Sequence, residues 1–154
     1  MEQSVGTYEE IEQERQQLEE IEACLSALQR LQSVLLVGNN SAIPASDLNK
    51  ASGRRCILGI VGLRHHRYEK FFEVDGSGVK VVAPYDKFNT YVAAPVDAVL
   101  RVLKGTLNGD TSSFGAEWAR GTAKLVGEKR MHDGYIFAEI FKKLAVVIKR
   151  YKEV

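Results

Sequence analysis

The chain is short of the residues that staple or stiffen small folds. Its 154 residues include two cysteines, three prolines, one tryptophan and three histidines. Cys24 and Cys56 stand apart, with no CxxC pair and no Cys/His spacing that would hold zinc, so reduced, structural thiols are expected and a metal site is not. No apolar run approaches the ~18 residues of a membrane span, and the polar, acidic start lacks the basic beginning and apolar centre of a signal peptide. These absences lead to the expectation of a cytoplasmic protein with no transmembrane segment. The net charge of +1 gives no field that would single out nucleic acid as a partner.

What is present is a 45% hydrophobic content, enough at this length for one ordinary domain that buries roughly 70% of its unfolded surface. The small net charge conceals an asymmetry. Residues 1 to 30 carry eight Glu against Arg15 and Arg30, which leaves a basic body behind an acidic arm. Ile11, Leu18, Ile21, Leu25, Leu28 and Leu35 recur at spacings near three and four, which predicts a helix over about 8–36. Its narrow stripe suits either a cover for the domain's own sheet or a short coiled-coil seam, interrupted at Gln32. Residues 1–37 are therefore an acidic helix with the character of an oligomerisation or docking arm, and 54–154 a separate α+β body.

Within the body, Cys56 to Leu63 is apolar on both faces and reads as a buried strand, with Gly59 and Gly62 leaving room for a crossing helix or a ligand. Tyr68–Val74 and Val79–Ala83 flank the turn Asp75-Gly76-Ser77-Gly78 as a hairpin, and Phe88–Ala93 and Thr122–Val126 are two further strands. The loop from Gly38 to Gly53 carries a helical turn at Ala45–Lys50. A helix over 95–104 starts at Pro95 with Asp97 in its first turn and stops at Gly105. A short apolar segment bears Trp118, and after a charged loop, Glu128–Gly134, a last helix runs over about 134–152. Phe137, Ile140, Phe141, Leu144, Val147, Ile148 and Tyr151 form its apolar face. The sum is an α+β fold, a five-stranded, mainly antiparallel sheet covered by helices.

Chemistry is hard to place in this pattern. Arg64-His65-His66-Arg67 is conspicuous, but adjacent histidines on a strand point to opposite faces and cannot share a metal. An exposed basic loop is the plain reading; an anion held by Arg54, Arg55, Arg64 and Arg67 is the alternative. No nucleophile elbow, no phosphate-cradling glycine loop before a helix, and no matched pair of acids can be picked out, so neither catalytic residues nor a cofactor are expected. Phe71 and Phe72 point to opposite faces of one strand, which denies nucleic acid a two-aromatic platform.

One stretch carries a resemblance. Leu103-Lys104-Gly105-Thr106-Leu107-Asn108, the aromatic Phe114, and Ala119-Arg120-Gly121-Thr122-Ala123-Lys124-Leu125-Val126-Gly127 resemble the core signature of the sterol carrier protein-2 (SCP-2) lipid-binding family. In that signature an apolar helix, an aromatic loop and a glycine-bounded strand precede a C-terminal helix. The resemblance implies an SCP-2-like domain over 54–154 that binds or carries a lipid or other apolar small molecule without chemistry, the C-terminal helix closing the apolar space. The residues expected to line that space are Ile60, Val81, Val92, Leu100, Leu103, Phe114, Trp118, Leu125, Phe137, Ile140, Phe141 and Leu144. The same set also describes an ordinary packed core. The competing reading is an interaction module with a dry core that forms a homodimer or docks through its N-terminal helix. The two differ in whether the layers leave a cavity; a fatty chain needs roughly 300 Å³ or more.

Overall fold

The computed structural model describes residues 2–35, 52–75 and 78–153. In chain order these form α1 (Glu2–Leu35), β1 (Arg55–Val61), β2 (Glu69–Asp75), β3 (Gly78–Val81), β4 (Thr90–Pro95), α2 (Val96–Leu107), α3 (Ser113–Arg120), β5 (Lys124–Val126) and α4 (Arg130–Glu153). The expected helical turn at 45–50 and the tip of the hairpin at 76–77 lie outside the described residues. The sheet order is β3-β2-β1-β4-β5, with β1 parallel to β4 and every other pair antiparallel. This is the five-stranded, mainly antiparallel α+β sheet expected from the sequence.

Alternation along β1 sends Cys56, Leu58 and Ile60 toward the helices and Ile57, Gly59 and Val61 to the other face. On that outer face the room at Gly59 is already taken. The Tyr91 ring of the parallel neighbour stands where a Cβ would go, so Gly59 admits a tyrosine, not a helix or ligand. Tyr85 crosses the same face from the 82–89 loop. Its hydroxyl lies 3.0 Å from the Cys56 carbonyl and 2.7 Å from that of Phe72, and its ring meets Phe71 edge-on at 5.1 Å.

Two glycines act as close-approach residues where the sequence reading treats them as boundaries. Gly105 does not stop α2, which runs on to Leu107. A Cβ there would come within 2.9 Å of Ser113, so the glycine lets α3 start against α2. Gly134 likewise lies inside α4, with the Trp118 ring at 2.6 Å and Leu125 at 2.8 Å from the place a Cβ would occupy. The expected charged loop 128–134 is therefore mostly the first turn of α4. That turn carries Asp133, which is 1% exposed and accepts a two-pronged ion pair from Arg54 (3.0 and 2.6 Å) and a hydrogen bond from Thr90. Burial pushes the Asp133 carboxyl up, but Arg54, Thr90 and His132 outweigh it and keep it below its ordinary value.

The second half of α1 belongs to the core. Ile21, Cys24, Leu25 and Leu28 are buried with Val99 and Leu103 of α2 and Leu144 and Ile148 of α4. Each large side chain so buried contributes on the order of 1.5–3 kcal/mol, as an upper estimate. The acidic arm and the basic loop, two separate features in sequence, meet in space. The Glu14 carboxylate accepts the backbone N–H groups of Arg64 (2.9 Å) and His65 (3.1 Å) and pairs with His66 Nδ1 at 2.9 Å; Glu10 reaches His65 Nε2 at 3.0 Å. Burial alone would push Glu14 up, yet these hydrogen bonds hold it at about 2. Further along α1, Glu22 accepts from the Tyr68 hydroxyl (2.7 Å) and Lys70 (3.0 Å). The histidines thus face separate carboxylates.

Candidate ligand-binding pocket

The core divides in two. One cluster gathers α1, α2 and the end of α4 around Ile21 and Ile148; the other gathers Cys56, Val74, Val92, Val102, Phe114, Phe137 and Ile140. Between them is a pocket of about 140 Å³. Its floor is the sheet, through Cys56, Leu58, Phe72, Val79, Val92 and Ala94. Its walls are Ala98, Val99, Val102 and Leu103 of α2, Phe114 of α3, and Phe137, Ile140, Phe141 and Leu144 of α4, with Ala123 between α3 and β5. Leu25, Leu28, Gln29 and Gln32 of α1 close the remaining side.

The local sequence explains this lining. On α4, residues 137, 140, 141 and 144 are one helical face, and Phe141 stacks on Phe114 at 5.4 Å with rings 11° from parallel. On α2, Ala98 and Val102 are four apart on the buried side. Small residues at 94, 98 and 123 leave the volume that larger ones would fill.

Among the described residues, no Asp, Glu, Lys, Arg or His lines the pocket. The Cys56 thiol, pushed up to about 12 by burial with the Asp133 carboxylate adding to it, is neutral and no nucleophile at physiological pH. The amides of Gln29 and Gln32 are engaged: both donate to the Val79 carbonyl, at 2.8 and 2.9 Å, and the Val79 N–H donates to Gln32 Oε1 at 3.2 Å. Among the described residues no buried side-chain polar atom lacks a partner. The surface offered to a ligand is hydrocarbon, thiol and aromatic ring.

Of the residues expected at the cavity, Val92, Leu103, Phe114, Phe137, Ile140, Phe141 and Leu144 line the pocket together. Five stand elsewhere. Ile60 and Leu100 pack into the α1 side of the core, Trp118 sits behind Phe114 against Tyr135 at 5.3 Å, and Leu125 packs with Gly134 beneath α4. Val81, near the end of edge strand β3, is 38% exposed. The sequence reading missed the α1 contribution, although Gln32 is its signal: a polar residue breaking an apolar stripe, here 6% exposed and bonded to a strand edge.

The polar clusters elsewhere tie the fold together. Arg54 is committed to Asp133, and Arg55 pairs with Glu73 at 3.6 Å while lying over the Tyr85 ring at 4.8 Å, so two of the four arginines considered as an anion site already hold partners. Glu117, 2% exposed, accepts from Arg101 and Thr122; the Arg101 guanidinium beside it, against the opposing cost of burial, holds its carboxyl at about 2. Both buried acids are ion-pair partners. Among the described residues no three His, Cys, Asp or Glu side chains gather as a metal site would require, and no helix is long and apolar enough to cross a membrane.

A mixed five-stranded sheet carrying helices over an apolar pocket defines the class of the fold as α+β. No protein-family model and no curated protein matches the chain. Among solved structures it is similar to one titled "UbiJ-SCP2 Ubiquinone synthesis protein", with a TM-score of 0.51 and 10% identity over 76% of this chain and 92% of that one. It is also similar to "Sterol Carrier Protein 2 from Yarrowia Lipolytica (apo form)", with a TM-score of 0.49 and 12% identity over 77% and 89%. The first likeness gives the chain an SCP2-like fold, as its helix, aromatic-loop and strand motifs imply.

Proposed function

We propose that the protein binds a lipid or other apolar small molecule in the pocket between sheet and helices and carries it without chemical change. The observation that carries this reading is the pocket itself: about 140 Å³ bordered by side chains of four helices and the sheet, with no charged group among the described residues that line it. Burying six carbons of a ligand there contributes roughly 5 kcal/mol at about 0.8 kcal/mol per methylene, before the cost of association is subtracted. The neutral thiol of Cys56 and the engaged glutamine amides supply no acid, base or nucleophile, which supports a binder over an enzyme. A solved structure of this fold titled a ubiquinone synthesis protein fits the same chemistry, since ubiquinone is a ring with a hydrocarbon tail. The setting proposed is cytoplasmic.

The test is displacement of a fluorescent apolar probe from delipidated protein, comparing the natural chain with Phe141→Glu. Phe141 is only half-buried, so a carboxylate there should leave the fold standing while charging the wall. Loss of probe binding with an unchanged circular dichroism spectrum is expected; equal binding by both proteins would remove this wall from the site. A second reading has one observation in its favour. Residues 7–10 of α1 are exposed, with Tyr8 at 74%, and would be the surface of a homodimer. Sedimentation of Tyr8→Ser against the natural chain decides it: a shift from dimer to monomer supports the interface, and identical profiles dismiss it.

A further inference from the structure

We infer that Gln32 sets the size of hydrocarbon the pocket admits: the latched site takes a compact, uncharged group of about six carbons, and a longer chain enters only when the bond between Gln32 and β3 opens. This deepens the reading of the pocket as a ligand site and rests on it. An apolar cavity of about 150 Å³ lined by similar side chains holds benzene and stays otherwise dry, and the pocket here, at about 140 Å³, is of that size. It is about half the roughly 300 Å³ at which pockets for larger ligands begin. Among the described residues no cation lines it, so a carboxylate or phosphate head finds no partner among them and remains in water.

The space therefore buries about half of a dodecyl chain unless a wall yields, and the walls are not equally held. Parting α4 from the body would expose Ile140, Leu144 and Ile148, all at most 4% exposed, and would strain the Asp133–Arg54 pair at its first turn. The floor strands β2, β1 and β4 each have neighbours on both sides. Strand β3 differs. It is four residues long and, among the described residues, pairs as a strand only with β2. Its other edge is occupied at Val79 by the side-chain amide of Gln32, which takes both the N–H and the C=O as another strand would, with Gln29 adding a second donor to the carbonyl. All three residues line the pocket. This seam is closed by neutral hydrogen bonds that water can replace, so it is the seam that yields first.

The experiment uses the delipidated full chain and two uncharged compounds, toluene and dodecanol, with uptake followed by the fluorescence of Trp118, whose ring lies 6.3 Å from Phe114 of the pocket wall. Gln32→Leu keeps a good helix former of similar size and removes the latch. The variant should take up dodecanol at least tenfold faster than the natural chain, while amide exchange at Val79 accelerates. Should Gln32→Leu not fold, Gln32→Asn, whose shorter amide does not reach Val79, carries the same expectation. Faster Val79 exchange with unchanged dodecanol uptake overturns the inference, as does Val79 exchange that does not respond. If neither compound binds the natural chain, the pocket reading itself falls.

Discussion

Replacing Ala98 by leucine places three more carbons in the wall of the pocket. Ala98 is fully buried on α2, and its side chain borders the space between the two core clusters. A cavity of about 150 Å³ accommodates the six carbons of benzene, so the leucine would fill about half of the 140 Å³ found here. Filling real empty space adds about 0.8 kcal/mol per carbon, or roughly 2 kcal/mol, and for a chain of this length each kcal/mol raises the melting temperature by about 2–4 °C. The delipidated variant should thus melt about 4–8 °C above the natural chain, with an unchanged urea m-value, and should lose affinity for a six-carbon ligand. A solidly packed interior gives the opposite sign, because overpacking costs about 1–3 kcal/mol. A lowered melting temperature in urea and heat alike would refute the empty pocket.

Three further outcomes follow from the packing and the ion pairs. Ile21→Ala, at a fully buried position of α1, should cost about 2–5 kcal/mol in urea denaturation, a loss an arm held away from the body would not show. Asp133→Asn strips the buried partner from Arg54 and should destabilise the fold by about 3 kcal/mol, measured the same way, while the conservative Asp133→Glu recovers part of the loss. Glu14 and Glu117 are both held at about 2, below the unfolded value of about 4.3, so the folded state binds fewer protons than the unfolded one between those limits. Their stabilisation is complete above about pH 5 and is lost as pH falls toward 2; Glu14→Gln should flatten the acid limb of a stability–pH curve, and an unchanged slope would contradict the assigned hydrogen bonds.

Periodicity makes one side of each element legible and is silent on its neighbour. The face of α4 through Phe137, Ile140, Phe141 and Leu144 is plain in the sequence, and it does line the pocket. Ile60 and Leu100 carry the same apolar signal yet pack toward α1, because alternation and helical spacing fix a direction from the backbone but not what stands opposite. Glycine is the second source of error. Gly105 and Gly134 resemble stops, and only the approach of Ser113 and Trp118 reveals them as contact points inside helices. Long-range polar pairing is the third: Arg54 and Asp133 are 79 residues apart, and nothing local in either segment announces the other. Gln32 was visible as an interruption of the α1 stripe, but its strand-edge partner was not.

The most direct measurement is native mass spectrometry of the full chain purified without detergent or organic solvent. The natural protein should carry an added mass that dissociates as an apolar, uncharged compound, and Ala98→Leu, with half its pocket filled, should carry less of it. Bare protein masses for the natural chain, together with no uptake of toluene or dodecanol after purification, would contradict a ligand carrier.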